Sequence, residues 1–128
     1  MKAHLDKFIH LLVWVQGIYF LLTGLWPFLH LESFLWVTGP KTDIWLLKTV
    51  AVLITVIGLT IIIAASRKEV NFTIAFLAMS SAIGLMAVDI YYAVNDVIWD
   101  VYLLDAVAEG LLILTWFYAL AGRKNKVL

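Results

Sequence analysis

Four long apolar stretches, joined by short polar connections, constrain the fold of this chain more than any other feature. They cover residues 8–28, 44–65, 72–94 and 101–121. A helix rises about 1.5 Å per residue, so each stretch is long enough to cross a hydrocarbon core about 30 Å thick. The chain has 128 residues and a mean hydropathy of +0.99, and the four stretches leave no room for a second domain. We therefore predict one all-α domain over residues 1–128, an antiparallel bundle of four transmembrane helices.

The rest of the composition excludes several classes of function. The chain has no cysteine, which excludes disulfides, thiolate metal sites and thiol redox chemistry. Its formal net charge is zero, so there is no electrostatic reason to expect nucleic acid as a partner. Lys2 and Lys7 precede the first stretch, but that stretch is too long for a signal peptide and no small-x-small cleavage site follows it. We interpret it as a retained membrane anchor.

The distribution of basic residues predicts the topology. With one exception, Lys41, the basic residues outside the spans lie at the N-terminus, between spans two and three, or at the C-terminus. These residues are Lys2, Lys7, Arg67, Lys68, Arg123, Lys124 and Lys126. By the positive-inside rule, both termini are expected in the cytoplasm.

The connection between spans one and two contains a further, shorter apolar segment. Pro27 is expected to end span one, because proline cannot continue a regular helix. Residues 28–37 are too few to cross the bilayer, so we predict an interfacial or re-entrant piece. Thr42 or Asp43 is placed to cap span two, and Asn71 to cap span three.

Small residues at helical spacing predict where the helices approach one another closely. In lipid, such residues let helix backbones come into contact, and we assign them to packing alone. They are Gly17 and Gly24 in span one, Ala75, Ala78, Ala82 and Ser80-x-x-x-Gly84 in span three, and Ala106-x-x-x-Gly110 in span four.

Only four formal charges interrupt the four stretches: Lys48, Asp89, Asp105 and Glu109. Because alternate spans run in opposite directions, all four map to the outer half of the bilayer. Glu109 is the deepest, about 12 Å below the outer end of its span and close to mid-membrane. Ionisable groups are costly in hydrocarbon, so the cluster should face the inside of the bundle and is a candidate functional site.

Residues at helical spacing around these charges define the faces that should point inward. Asp105 and Glu109 are separated by one turn and share a face of span four with Tyr102, Leu112 and Trp116. Comparable stripes are Gln16, Tyr19, Thr23 and Trp26 on span one, and Lys48, Ala51, Thr55 and Gly58 on span two.

The charges of the cluster do not balance. Lys48 can neutralise one acid of span three or four, and two more carboxylates would then repel each other and lose solvation. Either an acid keeps its proton near neutral pH, with the deep Glu109 the first candidate, or a cation from outside completes the site. Lys41 and His30, in the outer connection, are a structural alternative source of positive charge.

These observations favour a membrane protein that binds a small or lipidic ligand, which would be cationic if the missing charge comes from outside. The predicted pocket surrounds the four charges and is walled by Trp26, Tyr92, Tyr102 and Trp116. One alternative is an accessory or scaffold subunit of a larger membrane complex or homo-oligomer, in which the charges only fix packing. Another is a proton or cation pathway, which Gln16, Thr55 and Ser80 or Ser81 would have to continue inward.

Motifs for catalysis and cofactor binding are absent from the sequence. Two aspartates and a glutamate without histidine at ligand spacing make a poor transition-metal site. No nucleophile elbow, phosphate-binding loop or metal motif occurs. The sequence therefore favours a non-enzymatic protein and assigns no catalytic residue, cofactor or metal.

The layout resembles small four-helix membrane proteins of the DoxX-like type. The matching features are Gln16-Gly17 to Gly24 in span one, an aromatic segment in the following loop, and Lys48 to Gly58-Leu59 in span two. This resemblance implies a bacterial inner-membrane protein, sometimes linked to quinone-dependent redox systems, and carries over no catalytic residue. The chain is also similar to the sterol-isomerase/sigma-2-receptor group, whose four-helix bundles place acids around an amine-binding or sterol cavity. It departs from that group in lacking an intramembrane histidine at a catalytic spacing.

Overall fold

A computed structural model describes the backbone of residues 2–127 and the side chains of residues 6–122. Within that range the chain forms helices and no strand: α1 (Lys2–Leu29), α2 (Leu31–Thr38), α3 (Ile44–Ser66), α4 (Phe72–Val94) and α5 (Val101–Val127). Four of these helices are long and apolar enough to cross a membrane, so the prediction of a multi-pass, all-α membrane protein is confirmed. The side chains of Lys2, Arg123, Lys124 and Lys126, on which the topology prediction partly rests, lie outside the described residues.

The first span does not end at Pro27. α1 continues through the proline to Leu29, and the His30 amide donates a hydrogen bond to the Trp26 carbonyl oxygen at 2.9 Å. Proline lacks an N–H and its ring crowds the preceding turn, but the amides after it are intact, so the turn that follows it can still close. The predicted helix end is therefore wrong by less than one turn. α2 then covers most of the apolar segment after Pro27 and is about 12 Å long, too short to cross a bilayer.

Helix starts and ends follow local sequence signals to different degrees. The predicted cap of α4 is confirmed, since the Asn71 side-chain oxygen accepts a hydrogen bond from the Ile74 amide at 3.1 Å. Asp43 occupies the N-cap position of α3 but makes no side-chain capping bond. At the other end of α3, Lys68 adopts a left-handed conformation with φ of 56°, and Asp96 does the same after α4 with φ of 58°.

Glycines bring α1 and α3 into direct backbone contact. A β-carbon on Gly58 would lie 2.7 Å from the Leu21 amide nitrogen and 3.0 Å from the Gly17 carbonyl oxygen. A β-carbon on Gly24 would likewise collide with the Ala51 carbonyl oxygen, at 2.8 Å. The prediction that Gly17 and Gly24 serve helix packing is therefore confirmed, and their partner is α3.

The remaining helices are held together unevenly. α4 packs along α5, and α1 packs against α5 as well as α3, whereas α3 and α4 touch at only a few points. The predicted packing residues Ala75, Ala78 and Ala82 are buried. Ser80 and Gly84, in contrast, are exposed, and a β-carbon on Gly84 would meet no atom within 4 Å. The prediction that Ser80-x-x-x-Gly84 packs against a neighbouring helix within the chain is therefore wrong, because this motif lies on the outward face of α4.

The two ends of the bundle differ in character. The end at which α1 begins and the 67–71 connection lies is called the basic end; the end that carries α2 and the 95–100 connection is called the pocket end. Towards the basic end, side chains of four helices form a continuous apolar core, comprising Ile9, Leu12, Val13, Ile61, Ala65, Ala75, Ala78, Leu112, Trp116 and Ala119. The pocket end has no such core among the described side chains and contains a cavity instead.

Candidate functional site: an acidic pocket

A fully satisfied polar network lies at the edge of the apolar core. Gln16, on α1, donates a hydrogen bond through Nε2 to the Ala78 carbonyl oxygen on α4 at 2.8 Å. The indole Nε1 of Trp116, on α5, donates to Gln16 Oε1 at 2.6 Å. Gln16 and Trp116 are completely buried, so the network joins three helices without leaving the Gln16 amide unpartnered.

The buried carboxylates, in contrast, are only partly satisfied. Glu109 is 1% exposed and Asp89 is 6% exposed. Glu109 Oε2 and Asp89 Oδ2 are buried and have no hydrogen-bond partner. Asp105 and Asp89 are both close enough to Glu109 to repel its carboxylate. An unpaired charge in such surroundings costs several kcal/mol, so this end of the protein is incomplete in electrostatic terms.

A cavity of about 510 Å³ lies beside these acids. Its polar and aromatic lining comes from α1, α2, α4 and α5: Tyr19, Thr23, Trp26, Phe34, Thr38, Asp89, Tyr92, Tyr102 and Asp105. α3 contributes aliphatic side chains, among them Val50 and Ile54. We call this cavity the acidic pocket. Its wall is mainly apolar and aromatic, with two carboxylates on neighbouring helices.

At the pocket end, the acidic pocket is lined by α2 and by Ile98 of the 95–100 connection. Trp26 packs edge-on against Phe34 with ring centroids 5.3 Å apart, and its Nε1 donates to Ser33 Oγ at 2.9 Å, which fixes α2 over the end of α1. Gly39 adopts a φ of 99°, and a β-carbon on it would lie 2.8 Å from the ring of Trp99. Glycine is therefore required at this position both by the conformation and by the close approach of the indole.

Lys41 and His30, the positive charges expected to balance the acids, form no ion pair with the described acids, although Lys41 lies against the pocket-lining residues Thr38 and Tyr102. Lys41 donates to the carbonyl oxygens of Thr38, at 3.2 Å, and Gly39, at 3.0 Å, and its ammonium lies 5.2 Å from the centre of the Tyr102 ring. The His30 side chain accepts a hydrogen bond from the Ser33 amide at 3.1 Å and so caps α2. Among the side chains of residues 6–122, the only ion pair is Arg67–Glu69, at 3.2 Å and at the basic end.

Lys48 does not join the cluster. It is exposed, it does not line the acidic pocket, and it forms no ion pair with the described acids. α3 directs Ala51 and Gly58 towards α1, and Lys48 lies about 60° around the helix from Ala51, on the outer surface of the first turn. The prediction that Lys48 pairs with Asp89 or Asp105 is therefore wrong.

The structure divides the other predicted site residues into two groups. Trp26, Asp89, Tyr92, Tyr102 and Asp105 come together around the acidic pocket. Glu109 is buried but does not line the pocket, and Trp116 belongs to the apolar core. The predicted inward stripe of α1 is confirmed, since Gln16 is buried and the other three members line the pocket.

Sequence reasoning did not identify the contribution of α2. Phe34 and Thr38 line the pocket from this helix, and Pro27 lines it from the last turn of α1. Their positions depend on how the chain folds back after α1, which helical periodicity within a span does not report. The available signal was the aromatic residue Phe34 in an apolar segment too short to cross the membrane.

The chemistry available at the site is recognition by carboxylates, hydroxyl groups and aromatic faces. Within the described part of the chain, no group of three or more histidine, cysteine, aspartate or glutamate side chains is arranged to hold a metal ion. No known protein family, curated protein or solved structure matches this chain. The resemblances to DoxX-like proteins and to the sterol-isomerase group therefore stay predictions.

Proposed function

We propose that this protein binds an amphipathic amine, a molecule with a cationic head and an apolar body, in the acidic pocket. The observation that carries the proposal is a cavity lined by Asp105 and by Asp89, whose buried Oδ2 has no hydrogen-bond partner, with no cationic side chain in the lining. We further propose that both termini are cytoplasmic, as the basic residues predict, so that the pocket opens in the outer leaflet. The DoxX-like resemblance favours a bacterial inner membrane.

The pocket suits a cationic head for two reasons. Asp89 and Asp105 supply carboxylates to its lining, and Glu109 is a third, buried acid that repels both of them. Trp26 and Tyr92 supply ring faces, which attract cations more strongly where water is scarce. An ammonium group would therefore remove the electrostatic deficit that the protein alone leaves in place.

The pocket also suits an apolar body that arrives from the lipid. Val50 on α3 and Val88 on α4 both line the cavity, and both are about half exposed, at 47% and 51%. They border the gap where α3 and α4 make few contacts, which we call the lateral opening. A single-chain amine in the outer leaflet can enter by this opening directly from the lipid.

Two other functions, a scaffold role and a proton or cation pathway, are each supported by fewer observations. A scaffold role is favoured by the outward face of α4, where Gly84 would allow a second protein to approach closely. A proton or cation pathway requires polar groups beyond the pocket, but Gln16 is fully engaged and leads into the apolar core. Ser80 and Ser81 donate to carbonyl oxygens of their own helix, at 2.6 Å in each case, and do not continue a path.

The proposal can be tested with dodecylamine and dodecanol, which share an apolar chain and differ in the charge of the head. Calorimetric titration of the purified protein in detergent should detect binding of the amine in preference to the alcohol. Asp89→Asn and Asp105→Asn should each weaken amine binding by about tenfold or more, the effect of losing a charge-assisted contact. Glu32→Gln is the matched control, because Glu32 is exposed on α2 and does not line the pocket. Equal binding of amine and alcohol, or an equal loss with Glu32→Gln, would overturn the proposal.

A further inference from the structure

A second cavity, at the basic end, has the opposite charge. It encloses about 600 Å³ between the first turns of α1 and the 67–71 connection. Its charged lining residues are Asp6, Lys7 and Lys68. Its other lining residues include His10, Leu11 and Trp14. We call this cavity the basic groove. It shares no lining residue with the acidic pocket and does not depend on the function proposed for that pocket.

The backbone holds Lys68 at the groove in a conformation that favours glycine. The Glu69 amide donates to the Ala64 carbonyl oxygen at 2.9 Å, and the Lys68 amide donates to the Ala65 carbonyl oxygen at 3.1 Å. This is the Schellman pattern, in which the residue after the helix cap is left-handed and is usually glycine. Lys68 fills that place with φ of 56°. A residue with a β-carbon is disfavoured there, so Lys68→Gly should relieve strain at this position.

The charges of the basic groove fit one phosphodiester. Lys7 and Lys68 form no ion pair with the described acids, whereas Arg67, in the same connection, is paired with Glu69. Two ammonium groups and the Asp6 carboxylate leave one net positive charge in the lining. His10 also lines the groove and accepts a hydrogen bond at Nε2 from the Trp14 indole at 3.1 Å.

The apolar wall of the groove points to a lipid as the source of the phosphate. Leu11 is exposed, and Trp14 has its indole N–H already bonded to His10, so both present apolar surface. Both lie further along α1 towards the membrane interior than Lys7. We propose that the basic groove binds an anionic phospholipid, with Lys7 and Lys68 on the headgroup phosphate and the acyl chain along Leu11 and Trp14. Free phosphate would use only the charged half of this lining.

Lys68→Gly gives a sharp test, because it separates stability from lipid binding. Removing the β-carbon relieves the left-handed strain, so the melting temperature without added lipid should rise. Native mass spectrometry of the purified protein with equimolar phosphatidylglycerol and phosphatidylcholine should show a preference for phosphatidylglycerol. That preference should fall about tenfold in Lys68→Gly and in Lys7→Gln, the effect of losing one charge-assisted hydrogen bond. Because Lys68→Gly is expected to be more stable than the parent chain, its loss of lipid binding cannot be attributed to misfolding.

Arg67→Gln is the matched control, since it removes the same charge from the same connection but lies outside the groove. It should leave the preference for phosphatidylglycerol within about twofold. Equal losses for Arg67→Gln, Lys7→Gln and Lys68→Gly would mean that the basic end attracts anionic lipid only diffusely, as juxtamembrane basic residues do in general. Inorganic phosphate at the same concentration should not raise the melting temperature. Stabilisation by phosphate equal to that by phosphatidylglycerol would overturn the assignment to a lipid.

Discussion

On its α1 side, α3 packs backbone to backbone at Gly58, whereas on its α4 side it makes few contacts and borders a cleft. The first interface is close because glycines on both helices remove the side chains that would separate them. The second is lined by half-exposed valines that open onto the acidic pocket. One helix therefore forms both a rigid wall and the edge of an opening.

The buried polar groups follow the same division. Gln16, next to the apolar core, has both ends of its amide bonded. Glu109, nearer the pocket end, keeps a carboxylate oxygen without a partner. Polar groups used for architecture are normally satisfied within the protein, whereas an unsatisfied one calls for a ligand, a proton or water. The contrast separates the part of the bundle that supplies stability from the part suited to binding.

The largest expected effect concerns the close interface. Gly58→Ala should lower the free energy of unfolding by about 3 kcal/mol, because its β-carbon would meet the backbone of α1, which cannot move aside cheaply. Gly84→Ala, on the open face of α4, should leave stability unchanged or raise it by up to about 1 kcal/mol. Thermal unfolding in detergent measures both. Similar losses for the two variants would show that α3 does not meet α1 through Gly58.

The next largest effect distinguishes the satisfied polar group from the unsatisfied one. Gln16→Leu should destabilise the protein by about 2 kcal/mol, because it leaves the buried Trp116 N–H without an acceptor. Glu109→Gln should preserve stability or raise it slightly, because it replaces an ionisable group that has no partner. Unfolding curves for the two variants, recorded without ligand, give the comparison. If Glu109→Gln costs as much as Gln16→Leu, the Glu109 carboxylate has a stabilising partner in the folded protein.

A smaller, kinetic effect is expected at the lateral opening. Val50→Trp should slow the association of dodecylamine by about tenfold, because the larger side chain narrows the gap between α3 and α4. Val52→Trp is the matched control: Val52 is also 47% exposed on the same helix but does not line the pocket. Stopped-flow mixing would measure both association rates. Unchanged association in Val50→Trp would place the route of access elsewhere, most simply at the pocket end.

The smallest effect is expected at Lys48. The sequence alone predicts that Lys48 pairs with a buried acid, and removing such a lysine would strongly destabilise the protein. Because the structure places Lys48 on the exposed side of α3 without an ion pair, Lys48→Met should change the free energy of unfolding by no more than about 0.5 kcal/mol. A loss of several kcal/mol on thermal unfolding would restore the predicted pairing.

The sequence by itself determined the features that depend on local composition and period. The four spans follow from the length of the apolar stretches, and the Asn71 cap follows from the chemistry of one side chain at a helix start. The inward faces of α1 and α5 also follow from sequence, because polar groups recur there at helical spacing and lipid penalises them outside. Asp89 and Asp105 could be assigned to the candidate site on the same argument.

Only the tertiary structure decided how the spans are arranged around one another. Lys48 and Ala51 share a stripe in sequence, yet one is exposed and the other buried, because the position of α1 and not the period of α3 selects the contact face. The place of α2 over the end of α1 depends on the Trp26–Phe34 contact, which joins residues on two separate helices. Gly58 and Gly84 cannot be told apart by residue type. Gly58 lies against the backbone of α1, whereas no helix of the chain lies against Gly84, because the neighbouring helices follow different paths. Helical periodicity determines which residues share a face, whereas packing between helices determines what that face meets.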